Sequence, residues 1–377
     1  MARLKPIKLV IAAGGTGGHV LPAVSVLEEL NRRAVEIDVL WIGSRRGIER
    51  SAAKNAGVRF EAIATGKLRR YLDVHTIPDA LRAPVGAIQS WRILRSFRPD
   101  VIFSTGGFVS VPTVAAGARI APILTHEQTT IIGLATKLNS HFADVVALSY
   151  EATRARTAGM HSKIVVTGNP VRRSLLEGVA SRGLERFGFS ADLPLLYVTG
   201  GARGATPVNT RIEALLPELL KTCQVLHQAG PVSANQDAAN LEKFRSELPV
   251  DLQLRYQVRE FIGDEIADVY AAATLIVARA GAGTVAELAL LGKPAILIPL
   301  PLSGGGEQVI NARMLADAGA AVVMPQEEAD STRLLHQIQR MIGDPAMLAA
   351  MSISASSLGR PDAAKLLTDE ILGLVSH

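Results

Sequence analysis

Four times along this 377-residue chain, a short run of aliphatic and β-branched residues ends in a glycine cluster, and a helix-forming segment starts directly behind it. The clusters are Gly14-Gly15-Thr16-Gly17-Gly18 after Ile7 to Ala13, Gly106-Gly107-Phe108 after Asp100 to Ser104, Gly200-Gly201-Ala202-Arg203-Gly204 after Leu195 to Thr199, and Gly281-Ala282-Gly283-Thr284 after Leu275 to Ala278. A strand that feeds a helix through such a turn belongs to a βαβ unit. Its parallel strands are covered on both faces and bind ligands at their carboxyl ends. Runs at Asp38 to Ile42, Ile123 to His126, Val145 to Ser149 and Lys163 to Thr167 complete one series. After Gly168-Asn169-Pro170 a second series adds Gln224 to Gln228, Leu252 to Gln257, Ala295 to Pro299 and Ala321 to Met324. The expected fold class is α/β: two doubly wound Rossmann-like domains facing a cleft. Pro170 cannot extend a ladder and biases Asn169 away from helix, so residues 1–167 and 168–356 are read as the two domains.

Composition narrows the function classes. The single cysteine, Cys223, forms no internal disulfide and leaves no thiol set for zinc or an iron-sulfur cluster. No stretch approaches the roughly 18 consecutive apolar residues of a membrane span, and Leu9 to Ala13 is too short for a secretory core, so the expected compartment is the cytoplasm. Between Gly66 and Pro99 seven basic residues (Lys67, Arg69, Arg70, Arg82, Arg92, Arg95, Arg98) face two acids, which accounts for the whole net charge of +5. A charge so modest and so localised does not indicate nucleic acid.

Glycine turns at helix N-termini present amide groups and the positive end of the helix dipole, which suits a diphosphate. Val20 onward reads as the first helix, with Pro22 in its opening turn. A dinucleotide fingerprint is the rival reading. Gly15-x-Gly17 fits it, but Val20 stands where the third glycine belongs, and Asp38 supplies an acid at about the expected distance. There is no Asp-x-Asp pair, no paired histidine spacing and no P-loop ending, so no metal or other cofactor is expected and leaving-group charge would fall to backbone dipoles and an arginine.

The ordered motifs Gly14 to His19, Gly66 to Leu72, Gly106 to Pro112, His126-Glu127-Gln128, Gly168 to Arg172, Phe261-Ile262, Gly281 to Glu287 and Gln308 to Ala312 resemble those of the MurG family, transferases of peptidoglycan synthesis. The resemblance runs over essentially the whole chain. It implies a GT-B fold and inverting, metal-independent transfer of N-acetylglucosamine from UDP-N-acetylglucosamine to the 4-hydroxyl of the muramoyl sugar of lipid I. By the same resemblance the second domain holds the donor. The backbone of Ile262, beside Phe261, would meet uracil, and Glu287 would accept from both ribose hydroxyls. Ala282, Gly283 and Thr284, with Gly201, Ala202 and Arg203, would meet the diphosphate, Gln308 the sugar, and Arg172 the departing charge. The acceptor diphosphate would sit on Thr16, Gly17, Gly18 and His19 and on Gly106, Gly107 and Phe108, with a final helix at about 357–377 packing back on the first domain. The chain departs from the family at Ala202-Arg203 in place of a serine and a polar residue, at Thr129 in place of asparagine, and at Gly304 to Glu307.

His19 is the candidate general base, because a neutral imidazole beside an acceptor loop can take a proton; positioning of substrate is the competing role. Glu127 is the second candidate, with a structural ion pair as its alternative. Leu81, Val85, Ile88, Trp91 and Leu94 recur at helical spacing within the basic window. Either they face the core or, with Lys67, Arg69 and Arg70, they dock the protein on the cytoplasmic face of an anionic membrane as a peripheral enzyme, where a cell-wall synthesis complex would be a partner. Other readings stay open: a GT-B transferase with a different donor or acceptor, a dinucleotide oxidoreductase, and a sugar-nucleotide binder without turnover.

Overall fold

The computed structural model describes residues 5–45, 47–66, 76–303 and 305–375. Lys67, Arg69 and Arg70, singled out above, lie outside the described residues. Two compact units emerge, one ending at Arg172 and taking back the chain from Pro361 onward, the other running Arg173–Arg360. The break thus falls a few residues beyond the one read from sequence. Gly168-Asn169-Pro170 stays with the first unit because the Gly168 N–H bonds to Leu148 O, its carbonyl accepts from His126 Nε2, and Asn169 is buried.

The first unit is a seven-stranded parallel sheet: β1 Ile7–Ala12, β2 Ile37–Ser44, β3 Arg59–Ile63, β4 Val101–Ser104, β5 Ile123–Glu127, β6 Val145–Leu148 and β7 Lys163–Val166, in the order β3-β2-β1-β4-β5-β6-β7. Ile11 pairs with both Trp41 and Phe103 at its centre. Alternate residues of β1 serve two cores: Leu9 and Ile11 pack with Val26, Leu30 and Phe103 on one face, and Val10 with Ile42, Leu94 and Ile123 on the other. The first face is completed by the last helix, Ala363–Val375, whose Leu367 and Ile371 are fully buried. Arg33 ties that helix to the first one by bonding Glu29 and Asp369. Burial of each of these side chains stabilises the unit by about 1.5–3 kcal/mol, and Leu367→Ala is expected to cost it about 2–5 kcal/mol in a urea titration.

The second unit is a six-stranded parallel sheet: β8 Leu195–Thr199, β9 Gln224–Gln228, β10 Tyr256–Arg259, β11 Leu275–Ala278, β12 Ala295–Leu297 and β13 Ala321–Val323, ordered β10-β9-β8-β11-β12-β13. Two strands depart from the sequence reading, and both lie at sheet edges. β3 had no predicted counterpart, since Arg59 and Glu61 are exposed between half-buried neighbours. The predicted strand from Leu252 starts instead at Tyr256, because Pro249 opens a short helix over Val250–Gln253. The first helix begins at Gly17, so Pro22 lies inside it, and the Gly18 carbonyl loses its i+4 donor.

Candidate functional site

In each sheet the strand order reverses once, between β1 and β4 in the first unit and between β8 and β11 in the second. Loops that leave two neighbouring strands toward opposite sides open a crevice at their carboxyl ends. The four glycine clusters are the loops after those four strands.

In the first unit the two loops touch. A β-carbon on Gly107, whose φ is +76°, would stand 2.7 Å from Gly14 O and 3.0 Å from His19 Cδ2, so the approach admits only glycine. Between them lies a pocket of about 190 Å³ lined by Thr16, His19, Gly107 and Phe108 from the expected acceptor set, together with Gly14 and Gly15. Leu134 and Ala135 also line it and were not anticipated. Gly17 and Gly18 instead form the first turn of the helix behind Thr16, and Gly106 stands against the His19 ring. His19 Nδ1 is 2.9 Å from Thr105 O and 2.9 Å from Gln128 Oε1.

Glu127 is 3% exposed. Its Oε1 accepts from the Thr129 N–H at 3.2 Å, with the Thr129 hydroxyl at 3.0 Å, and its Oε2 accepts from the Gly133 N–H at 2.8 Å. The carboxylate therefore holds the turn that delivers Leu134 and Ala135 to the pocket. Glu49, missed from sequence, is buried against the first loop. One oxygen accepts from the Ser44 N–H at 2.8 Å and the Ser44 hydroxyl at 2.6 Å, and the other from the Gly15 N–H at 3.2 Å. Asp38, the acid of the dinucleotide reading, sits at the amino end of β2 and is paired with Arg59 at 2.7 Å. A ribose-binding acid belongs at the carboxyl end, so that reading loses its support.

In the second unit every donor candidate from Gly201 onward follows a strand end: Gly201, Ala202 and Arg203 after β8, Phe261 and Ile262 after β10, Ala282, Gly283, Thr284 and Glu287 after β11, and Gln308 after β12. Gln228, at the end of β9, joins two of these groups. Its Nε2 donates to Thr199 Oγ1 at 3.1 Å and Gly201 O at 3.2 Å, and its Oε1 accepts from the Ile262 N–H at 3.0 Å. A base meeting Ile262 through that N–H therefore competes with Gln228. Tyr270 donates to Glu287 Oε2 at 2.7 Å and orients the carboxylate. The Leu300 N–H donates to Gln308 Oε1 at 2.9 Å. Arg279, buried at the root of the fourth loop, donates to Ile298 O and Pro299 O and, at 2.6 Å, to Gln326 Oε1. Burial, then the neighbouring charge of Arg211, lowers its pKa. Ala202 and Arg203 are exposed, and the Nε of Arg172, at the end of the first unit, is buried without a bond among the described residues. No group of three or more potential metal ligands occurs among the described residues.

Two buried histidines underlie these loops. Burial pushes His126 down to about 4, against a smaller upward pull from the Gly168 carbonyl, and burial pushes His227 to about 3. Both folded values lie below the unfolded value near 6.5, so the unfolded chain takes up the extra proton. Their contribution to stability is complete above about pH 6.5 and is lost progressively as pH falls toward 4 and 3. Melting midpoints are expected to drop between pH 6.5 and 5, and His227→Asn to flatten the drop of the second unit.

Sequence comparison agrees with this geometry. The profile of the glycosyltransferase family 28 N-terminal domain matches residues 9–148, and that of the family 28 C-terminal domain matches residues 195–367. Fold and site thus define a GT-B glycosyltransferase. A curated UDP-N-acetylglucosamine–N-acetylmuramyl-(pentapeptide) pyrophosphoryl-undecaprenol N-acetylglucosamine transferase of Listeria monocytogenes is 40% identical over 98% of this chain and 100% of its own length. One of the same name from Treponema pallidum is 37% identical over 94% of this chain and 92% of its own. The crystal structure of Acinetobacter baumannii MurG superposes with a TM-score of 0.73 at 27% identity, covering 98% of this chain and 100% of that one. The chain belongs to the MurG family.

Proposed function

We propose that this protein transfers N-acetylglucosamine, with inversion, from UDP-N-acetylglucosamine to the 4-hydroxyl of the N-acetylmuramoyl sugar of lipid I, giving lipid II. The observation that carries the reading is His19, set in the first-unit crevice between the two glycine loops that suit an acceptor diphosphate, in a chain of MurG family length and fold. His19 Nε2 takes the proton of the acceptor hydroxyl while its oxygen forms the bond to the anomeric carbon. The bond from that carbon to the diphosphate oxygen breaks on the opposite face, and UDP leaves with the electron pair. The amides opening the Ala282–Leu291 helix and the Arg172 guanidinium offset the charge that develops on it. Glu287, held by Tyr270, receives the ribose hydroxyls. The oxygen of Gln308 is already engaged with Leu300, so its amide N–H groups are the ones turned to the sugar. Glu127 keeps the structural duty its bonds describe.

The test is UDP release from UDP-N-acetylglucosamine with a short-chain lipid I analogue, with and without EDTA, beside a panel of other UDP-sugars. Acceptor-dependent release that survives EDTA and prefers N-acetylglucosamine is the expected result. Release from another sugar with equal efficiency would replace the donor assignment. Tyr270→Phe is expected to raise the donor KM about tenfold, the scale of one hydrogen bond to a charged group, with kcat nearly unchanged.

No helix among the described residues is long and apolar enough to cross a membrane. The proposal includes peripheral attachment instead, through the Thr76–Phe97 helix. There Val85, Ile88 and Trp91 are 48%, 55% and 44% exposed, whereas Leu94 is buried, so the apolar stripe does not all face the core. Arg82, Arg92 and Arg95 are exposed on the same helix, and the Arg95 guanidinium lies 4.9 Å from the Trp91 ring. Apolar side chains among arginines suit an anionic interface. Flotation with phosphatidylglycerol vesicles is expected to capture the protein at low salt, to weaken with added salt, and to be lost on Ile88→Ser with Trp91→Ser. Capture indifferent to both changes would remove this part of the proposal.

A further inference from the structure

Among the described residues the His19 ring is held at one nitrogen only, and what holds it settles which nitrogen is available for chemistry. Nδ1 faces two oxygens, the Thr105 carbonyl and Gln128 Oε1, both at 2.9 Å. A carbonyl can only accept, so Nδ1 must carry the hydrogen, and a neutral ring then keeps its lone pair on Nε2. The orientation of the Gln128 amide is itself dictated. Its Nε2 lies 2.8 Å from Thr105 O and 2.9 Å from His126 O, two acceptors that an oxygen in its place would repel.

Behind Gln128 the same logic continues. Its Nε2 is also 3.0 Å from His126 Nδ1, while His126 Nε2 is 3.0 Å from Gly168 O. His126 therefore donates from Nε2 to Gly168 O and keeps its lone pair on Nδ1 toward Gln128, the neutral form that its complete burial favours. Backbone carbonyls that cannot reverse thus fix the ends of Gln128 and His126, and Gln128 Oε1 is thereby held as a second acceptor beside the Thr105 carbonyl at His19 Nδ1.

We propose that Gln128, backed by His126, is a positioning residue that locks His19 in the Nδ1–H tautomer and thereby presents Nε2 to the acceptor hydroxyl. The inference deepens the assignment of His19 as base and rests on it for its catalytic consequence, though not for the tautomer itself.

Nitrogen-15 NMR of protein labelled at histidine reads both. The His19 signals are assigned by their loss in His19→Gln. In the wild type His19 is expected to be wholly Nδ1–H and His126 wholly Nε2–H. An Nε2–H form of His19 there overturns the proposal without any need of a variant. In Gln128→Met, which keeps the bulk but neither polar end, Thr105 O alone remains at Nδ1, and the His19 signals are expected to report a mixture of tautomers in which the Nε2–H form has become detectable. Turnover is expected to fall about tenfold while the two KM values stay close to wild type, as for an interaction made in the transition state. A His19 that stays wholly Nδ1–H in Gln128→Met overturns the role of Gln128. A mixture of tautomers with undiminished turnover leaves Gln128 as the positioning group and removes His19 as the base, so the two claims fail separately.

Discussion

His19→Ala is expected to lower the turnover number of the lipid I reaction by about 10²- to 10⁴-fold, the range a positioned general base contributes. The donor KM should hardly move, because every donor group proposed above from Gly201 onward belongs to the second unit. The acceptor KM should rise only modestly, since the amides that would hold the acceptor diphosphate belong to Thr16 and the glycines and survive the substitution. The pattern matters as much as the size. A loss confined to kcat marks an interaction realised in the transition state, whereas a loss confined to the acceptor KM would reduce His19 to a binding contact. Turnover near that of the wild type would transfer the role of base elsewhere. Glu127 would be a poor heir, with both oxygens already spent on Thr129 and Gly133.

Gly204→Ala is expected to do its damage through the fold of the second unit. Gly204 has φ +72°, where an alanine costs about 1–2 kcal/mol. A β-carbon there would also lie 2.0 Å from Ala229 O and 2.8 Å from its carbonyl carbon, backbone atoms that cannot swing aside. Overpacking of this kind adds about 1–3 kcal/mol, for a total of roughly 2–5 kcal/mol. Gly201→Ala is the matched control. It shares a positive φ, +83°, but nothing stands within 4 Å of the added carbon, so the strain alone remains. A urea titration should place Gly204→Ala well below Gly201→Ala, with the first unit unaffected in both and UDP binding lost in parallel with the fold in the former. Equal midpoints for the two would mean that the loop can yield, and that the approach of Gly204 to the Ala229 carbonyl is not needed for it to form.

The architecture was legible because strands of a parallel sheet covered on both faces read as unbroken apolar runs, and Ile7 to Ala12 or Leu275 to Ala278 announce themselves that way. The same criterion fails at one rim of each sheet. Arg59–Ile63 and Tyr256–Arg259 each have a neighbour on one side only, so polar or charged residues alternate with apolar ones and the run dissolves. Among the candidate site residues, those carried on glycine loops could be proposed from sequence, since the loop marks the place. Glu49, Gln228 and Tyr270 could not. Their partners are Gly15, Ile262 and Glu287, each 17 or more positions away, and only the folded chain brings them together. In a sequence window Glu49 is an acid at a helix start like any other. Asp38 failed in the opposite sense: its distance from the loop was right, but the direction of β2 carries it to the wrong end of the sheet.

The last helix, Ala363–Val375, has a bearing on how the protein is made. Its Leu367 and Ile371 close the core over Leu9, Ile11 and Phe103, residues synthesised hundreds of positions earlier. On the ribosome the second unit can therefore finish folding while the first waits with one face of its sheet uncovered, open to chaperones and to other nascent chains. A message that ends prematurely anywhere ahead of Ala363 yields a product whose first unit is unfinished however much of it has been translated. Synthesis of this helix is in this way itself a condition for a finished first unit.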